Sequence, residues 1–135
     1  MPVLMLDANI CIYVIKGHPP EVRRRLESIR PQDLAISSIV SGELWTGVAK
    51  SHQQRHNELA LRDFLAFVRV LDWPAEAAKV YGQIRARLES AGRPIGALDT
   101  LIAAHAVYEG ATLVTRNRSE FDRVAGLKVE AWDSL

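Results

Sequence analysis

Short apolar runs alternate with longer segments of helical period along this chain. Short segments predict strands at residues 3–6, 33–36, 70–72, 112–115 and 127–132. The run at 3–6 lacks the polar alternation of half-exposed strands and, like that at 112–115, predicts a buried strand. Apolar residues at helical spacing predict helices at residues 10–15, 20–26, 39–50, 58–67, 75–91 and 97–108, and a short helix from residue 119. This alternation is typical of an α/β fold with a mostly parallel central sheet of four to five strands and helices on both faces.

Asp7 stands where the first predicted strand ends. Open α/β sheets place their ligand sites at the carboxyl ends of the strands, so this position favours a functional carboxylate. The alternative is structural, since Asp7 or Asn9 also suits the N-cap of the helix that follows.

Two further acids are predicted to lie on apolar helix faces. Glu43 shares the inward stripe of its helix with Val40, Leu44, Gly47 and Val48, and Asp99 precedes Ile102, Ala103 and Ala106 at helical spacing. Ionised carboxylates are rarely buried without a partner or a metal ion. The structural alternatives are a Glu43 that reaches solvent and an Asp99 that complements the helix dipole.

A cluster of three such acids would be strongly destabilising by itself. Two carboxylates ~5 Å apart repel by about 3 kcal/mol at an effective dielectric near 20, and three such pairs approach the stability of a whole domain. A divalent cation removes this penalty. If the three acids cluster, Mg²⁺ or Mn²⁺ is the expected ion, because both prefer oxygen ligands.

Composition narrows the class of protein without naming it. The 135 residues predict a single domain over 1–135, and 17 basic against 16 acidic residues neither require nor exclude a nucleic-acid partner. Cys11 is the sole cysteine and has no internal disulfide partner. No signal peptide and no apolar run of ~20 residues is visible. We therefore expect a cytoplasmic protein without a membrane partner.

Four segments resemble those of a known family. They are MLDANI at residues 5–10, SSIVSGEL at 37–44, GRPIGALDTLIAAHA at 92–106 and LVTRN at 113–117. In this order they resemble PIN-domain ribonucleases, and more closely the VapC toxins of bacterial VapBC toxin–antitoxin pairs. The resemblance covers essentially the whole chain.

The resemblance implies a PIN-like fold and an Mg²⁺- or Mn²⁺-dependent endoribonuclease. It implies metal ligands at Asp7, Glu43 and Asp99, and cleavage by water that leaves a 5′-phosphate. The implied substrate is a structured RNA, such as a tRNA or rRNA loop, whose cleavage inhibits translation. The implied partners are a VapB-like antitoxin and further copies of the chain, in a homodimer or a higher toxin–antitoxin assembly.

Further roles follow from the same resemblance. The family often has a fourth acid after the last catalytic strand, where this chain has Asn117, and Glu120 is a possible substitute ligand. Thr115 and Asn9 are expected to support the site. We expect RNA-backbone contacts from the loop arginines, which are Arg93, Arg116 and Arg118.

Other classes of protein remain as alternatives. A haloacid-dehalogenase-type phosphatase also begins with a strand and an Asp, but it requires Asp-x-Asp where this chain has Asn9. A response-regulator receiver requires paired acids near the first strand and a Lys after the last. A non-catalytic acidic-pocket binding domain would not need all three acids.

Two apolar features predict packing and partners. Leu59, Phe64, Leu65 and Phe67 are expected in the core. The helix at residues 10–15 has more apolar residues than one buried face needs, and with Trp45 this surplus predicts a surface for an antitoxin segment or a second copy. Alternatively, Trp45 belongs to the core.

Overall fold

A computed structural model describes residues 3–132 of the chain, and within them five strands and seven helices. The strands are β1 (Leu4–Leu6), β2 (Leu34–Ser37), β3 (Arg69–Leu71), β4 (Thr112–Thr115) and β5 (Lys128–Ala131). The helices are α1 (Ala8–Lys16), α2 (Pro20–Glu27), α3 (Ser38–Lys50), α4 (Gln54–Phe67), α5 (Ala77–Ser90), α6 (Ala97–Glu109) and α7 (Arg118–Phe121). Each strand and helix predicted from the sequence pattern is present. The largest shift is in α4, which begins at Gln54.

The five strands form one parallel sheet in the order β3-β2-β1-β4-β5. The chain moves outward from β1 through β2 to β3, and then crosses back to β4 and β5. Right-handed crossovers place the connecting helices of these two halves on opposite faces of the sheet. The predicted α/β class with a parallel sheet is confirmed, with five strands. The topological switch point lies between β1 and β4, where such sheets place their ligand sites.

The three central strands form the middle of the core. Met5, Leu6, Ile36, Leu113 and Val114 are essentially inaccessible to solvent, whereas β3 is largely exposed and β5 is partly exposed. Helices cover the central strands on both faces, so their sequences are continuous apolar runs. None of the helices within residues 3–132 is long and apolar enough to cross a bilayer.

Part of the predicted core is wrong. Leu59 and Phe67 are 55% and 45% exposed, whereas Phe64 is buried as predicted and α4 also buries Leu61. The helix packs mainly against α3, so only a narrow stripe of it is enclosed, and Leu59 lies about half a turn away from Leu61. Gly47 is also exposed, although Val40 and Leu44 on the same predicted stripe are buried.

A buried hydrogen bond joins α3 to α6. The Ser37 hydroxyl oxygen accepts the Ile39 N–H at 3.1 Å and lies 2.8 Å from His105 Nδ1. Burial lowers the pKa of His105 and so favours the neutral imidazole. This bond ties the start of α3 to the middle of α6, and these two helices carry Glu43 and Asp99.

Candidate functional site

Asp7 lies at the carboxyl end of β1, at the switch point of the sheet. Its Oδ1 accepts the Ile10 N–H at 3.0 Å and caps α1, while its Oδ2 accepts a hydrogen bond from the Thr115 hydroxyl at the end of β4. The capping alternative is therefore correct for Asp7, and it coexists with a position suited to function. A carboxylate has about four acceptor sites, so these two bonds leave further lone pairs available.

The environment of Asp7 disfavours its charge. Burial raises the pKa of its carboxyl, and this effect exceeds the lowering by the Thr115 hydroxyl, the backbone N–H groups of Ile10 and Asn9, and the Arg116 charge. The side chain of Asp7 is 7% exposed. A carboxylate held in this way gains from any cation that reaches it.

Glu43 lies beside Asp7 in the second turn of α3. It is half-buried, and burial together with the charge of Asp7 raises the pKa of its carboxyl. Glu43 therefore lies near Asp7 and keeps partial contact with solvent. Both carboxyls also act on the buried thiol of Cys11, whose pKa is raised well above its usual value, chiefly by burial. Cys11 is therefore an inert part of the core.

Asp99 joins the same cleft from the first turn of α6. Burial, a side-chain hydrogen bond with Glu120 and the charges of Glu120, Glu43 and Asp7 raise the pKa of Asp99 to about 6. Among the neighbouring acids, Glu120 raises the pKa of Asp99 the most. Four acids, from the end of β1 and from α3, α6 and α7, thus lie near enough for their charges to affect one another.

Two residues after β4, Asn117 and Glu120, were considered from the sequence for the place of the family's fourth acid. Asn117 donates its backbone N–H to the Thr115 hydroxyl oxygen at 2.8 Å, and its side-chain oxygen accepts the Ser119 hydroxyl at 3.2 Å. Its side-chain oxygen is therefore engaged locally, while the Glu120 carboxyl on α7 contributes to the raised pKa of Asp99. Asn9 is exposed at the rim, in the first turn of α1.

The three loop arginines have different surroundings. The Arg116 guanidinium lies 5.1 Å from the centre of the Tyr13 ring, and its charge acts on Asp7. Arg118 pairs with Asp122 at 3.1 Å and donates to the Val129 carbonyl at 3.2 Å, so its guanidinium is already engaged. Arg93 is exposed in the loop before α6. Of the three, only the Arg116 charge contributes to the pKa shift of Asp7.

Tyr13 was not identified from the sequence. It is half-buried on α1, and its ring supports the guanidinium of Arg116 in a cation–π contact. An aromatic residue two turns beyond Asp7 on the same helix is a weak signal, because most such residues simply fill the core.

The donor set suits a hard divalent cation. Asp7, Glu43, Asp99 and Glu120 offer carboxylate oxygens, which are the ligands that Mg²⁺ and Mn²⁺ prefer. Within residues 3–132, however, no three His, Cys, Asp or Glu side chains converge tightly enough to form a ready metal-binding group. The backbone brings the acids to one cleft, and binding an ion would require their side chains to rotate toward a common point.

Comparison with known proteins identifies a single family. The PIN domain family matches residues 4–127. Ribonuclease VapC2 of Rickettsia felis is 44% identical over 132 residues, covering 97% of this chain and 98% of that protein. The tRNA(fMet)-specific endonuclease VapC of Shigella flexneri is 44% identical over 128 residues, covering 95% of this chain and 96% of that protein.

Solved structures agree with the sequence relatives. The crystal structure of VapBC2 from Rickettsia felis bound to a promoter DNA fragment matches with a TM-score of 0.91 and 43% identity, over 97% of this chain and 99% of that chain. DNA-bound VapBC from Salmonella typhimurium matches with a TM-score of 0.91 and 39% identity, over 98% and 99%. These matches decide against the phosphatase and receiver alternatives.

The acid cluster predicts a pH-dependent stability that depends on Asp99. In the unfolded chain this carboxyl has its ordinary pKa near 3.8, whereas folding raises it to about 6. The folded protein therefore holds a proton that the unfolded chain releases, and the free energy of unfolding falls as pH rises through about 6. Asp99→Asn removes this titration and should raise the free energy of unfolding near pH 7.5 by about 1–2 kcal/mol, after allowance for solvent screening.

Urea unfolding with EDTA, at about pH 5 and pH 7.5, measures this effect. Asp63→Asn, at an exposed position on α4, is the matched control and should behave as the wild type. A wild-type drop in stability between the two pH values that persists undiminished in Asp99→Asn would contradict the assignment.

Proposed function

This chain belongs to the PIN-domain family and is a ribonuclease of the VapC type, and we propose that Asp7, Glu43 and Asp99 are its catalytic metal ligands. The observation that carries the proposal is the position of Asp7 at the switch point of the sheet, held by Thr115, with the carboxyls of Glu43 and Asp99 near enough for their charges to interact with it. A fold with no use for a cation would gain stability by removing one of these charges. The proposed ion is Mg²⁺ or Mn²⁺.

When bound, the ion would lower the pKa of a water molecule and balance charge on the scissile phosphate. The chain's own residues hold the ligands in place. Thr115 orients Asp7 through its hydroxyl, and Asn117 in turn donates to the Thr115 oxygen. Glu120 extends the acid set beside Asp99 and is proposed as the fourth acid. Asn117 has amide hydrogens that suit orientation of a water or a phosphate oxygen, and Asn9 lies at the rim.

The proposed reaction is hydrolysis of a phosphodiester in a structured RNA, with water as the nucleophile and a 5′-phosphate on the product. A tRNA or rRNA loop is the proposed target, because unpaired bases are where proteins read RNA sequence. The Shigella flexneri relative is named as a tRNA(fMet)-specific endonuclease, which supports a tRNA target. Cleavage of either RNA would inhibit translation.

Arg116 is the proposed contact to the RNA backbone at the acids. Its charge acts on Asp7 and the Tyr13 ring holds its guanidinium, so it has a defined position. Arg93 is proposed to contact a phosphate farther along the strand. Arg118 would first have to give up its pairing with Asp122, and we expect it to contribute less.

We also propose that an antitoxin segment covers an apolar groove between α1, α3 and α4. The groove encloses about 290 Å³, and its lining includes Ile12, Leu44, Val48 and Glu43. A partner seated there would cover one of the proposed metal ligands. The similar solved structures are VapBC complexes, which supports a VapB-like partner within a homodimer or a higher assembly.

Trp45 was predicted from the sequence to lie either on a partner surface or in the core, and its position has features of both. It is half-buried and packs against the core, and the Arg62 guanidinium lies 5.1 Å from the centre of its ring. We propose that its outer edge extends the partner surface.

We further propose that residues 1–135 form a single PIN domain acting in the cytoplasm, which is consistent with the free, buried thiol of Cys11.

The proposed centre predicts stabilisation by divalent metal. Mn²⁺ or Mg²⁺ at about 100 times its dissociation constant should raise the free energy of unfolding by about 2.7 kcal/mol. Asp7→Asn and Asp99→Asn should lose this gain, and asparagine at position 7 retains an N-cap for α1.

Differential scanning calorimetry with and without the metal measures this gain. Glu27→Gln, at an exposed position on α2, is the control and should respond to metal as the wild type does. Equal metal-induced stabilisation in both aspartate variants would place the ion elsewhere.

The proposed nuclease activity predicts discrete cuts in cellular RNA. A short pulse of expression should stop growth and create new 5′-phosphate ends, because water attacks the phosphorus and the 3′ oxygen of the preceding nucleotide leaves. Glu43→Gln should reduce both effects by at least ~100-fold while the protein remains folded, since it removes one charged ligand from the metal. Mapping of 5′-monophosphate ends in total RNA measures this, with Glu27→Gln as the active control. An absence of new ends together with turnover of small phosphomonoesters would contradict the proposal.

The proposed assembly predicts a mass well above that of one 15.0 kDa chain. Light scattering at tens of micromolar should give at least a dimer, because the apolar groove and the outer edge of Trp45 gain by burial. Ile12→Asp should weaken binding of a co-expressed antitoxin, since a charge would then line the groove. Lys16→Ala, at the same groove, keeps its apolar residues and is the control. A strictly monomeric chain that co-purifies with no antitoxin would contradict the assembly.

A further inference from the structure

A second pocket lies outside the acid cleft, between α5, the loop before α6 and the segment after α7. It encloses about 240 Å³. Three arginines line it, Arg87, Arg93 and Arg123, around an apolar floor that includes Ile84, Leu88 and Val124. No acidic residue is part of the lining within residues 3–132. We call it the arginine pocket.

The arginines are charged and incompletely satisfied. Arg123 donates from Nη1 to the Pro94 carbonyl at 3.1 Å, while its Nε is buried and has no hydrogen-bond partner within residues 3–132. Arg87 and Arg93 are exposed, and neither forms an ion pair with another described residue. Anionic oxygens are the acceptors that guanidinium groups bind most strongly.

The arginine pocket is continuous in sequence with the acid cleft. Arg93 lies in the loop that leads into α6, and Asp99 lies in the first turn of that helix. Arg123 comes three residues after Glu120, at the end of α7. The arginine pocket and the acids therefore share two segments of the chain.

We propose that the arginine pocket binds one nucleotide of the RNA substrate away from the cleaved bond. The guanidinium groups of Arg87, Arg93 and Arg123 hold its phosphate, and the apolar floor contacts the sugar and base. This inference rests on the proposed nuclease function. Phosphate contacts of this kind set the register of the strand, so the pocket positions the scissile phosphate over the acids without taking part in the chemistry.

Binding of fluorescently labelled bulk tRNA, measured by anisotropy in the Glu43→Gln background with Mg²⁺, tests the inference without cleavage. Arg87→Ala and Arg93→Ala should each raise the dissociation constant about 5-fold. Each should also lower the slope of log K against log salt by roughly 0.7, the value for one lost contact to a single strand. Arg123 is left unchanged because it holds the Pro94 carbonyl.

Arg85→Ala is the matched control. Arg85 lies two residues from Arg87 on α5 and has the same charge, but it is held by Glu89 and Tyr81 and does not line the pocket. It should bind tRNA with the wild-type constant and salt slope. In single-turnover cleavage by the otherwise wild-type enzyme, Arg87→Ala should raise the half-saturating enzyme concentration.

The outcomes separate this inference from the function on which it rests. Equal tRNA binding by Arg85→Ala, Arg87→Ala and Arg93→Ala would overturn the pocket assignment, even if the wild type cleaves RNA. The same holds if an acidic peptide, but not tRNA, distinguishes these variants. Arginine-dependent tRNA binding without cleavage by the wild type would support the pocket and overturn the proposed nuclease function.

Discussion

The buried carboxylate of Asp7 is the constraint on which the site depends. It ends β1, caps α1 and accepts the Thr115 hydroxyl from the end of β4, so one side chain ties together both strands of the switch point. These bonds favour its charged form, yet burial outweighs them and raises its pKa. The fold thus holds a carboxylate rigidly at a place where its charge is poorly compensated. A cation bound there would supply the missing compensation and favour the ionised carboxylate.

The other acids lie on separate helices, and their negative charges add to the repulsion at Asp7. Glu43 comes from α3, Asp99 from α6 and Glu120 from α7. The buried bond between Ser37 and His105 fixes α3 against α6, and so fixes the backbone positions of two of these acids. Stability and function oppose each other here. Like charges weaken the folded state, and the same charges make the proposed metal site.

Arginines lie both beside the acids and in a pocket outside the acid cleft. Arg116 rests on Tyr13 beside Asp7, whereas Arg93 and Arg123 line a separate pocket that shares its segments with the cleft. A protein with a net charge of only +1 therefore concentrates positive charge locally. Such a distribution suits an RNA strand whose reacting phosphate meets the acids while its neighbours meet arginines.

The sequence by itself determined the order of strands and helices, the α/β class, the family and the three acids at residues 7, 43 and 99. Apolar periodicity encodes which face of each element is buried, and an acid on such a face stands out locally. The role of these acids as metal ligands stays a prediction. Tertiary packing decided the rest: the Glu120 carboxyl acts on Asp99 while the Asn117 side chain is bonded locally, Arg118 is held by Asp122, and Leu59 and Phe67 are exposed. These outcomes depend on contacts between residues far apart in the chain and on how closely a neighbour covers each helix. Local sequence periodicity does not contain that information.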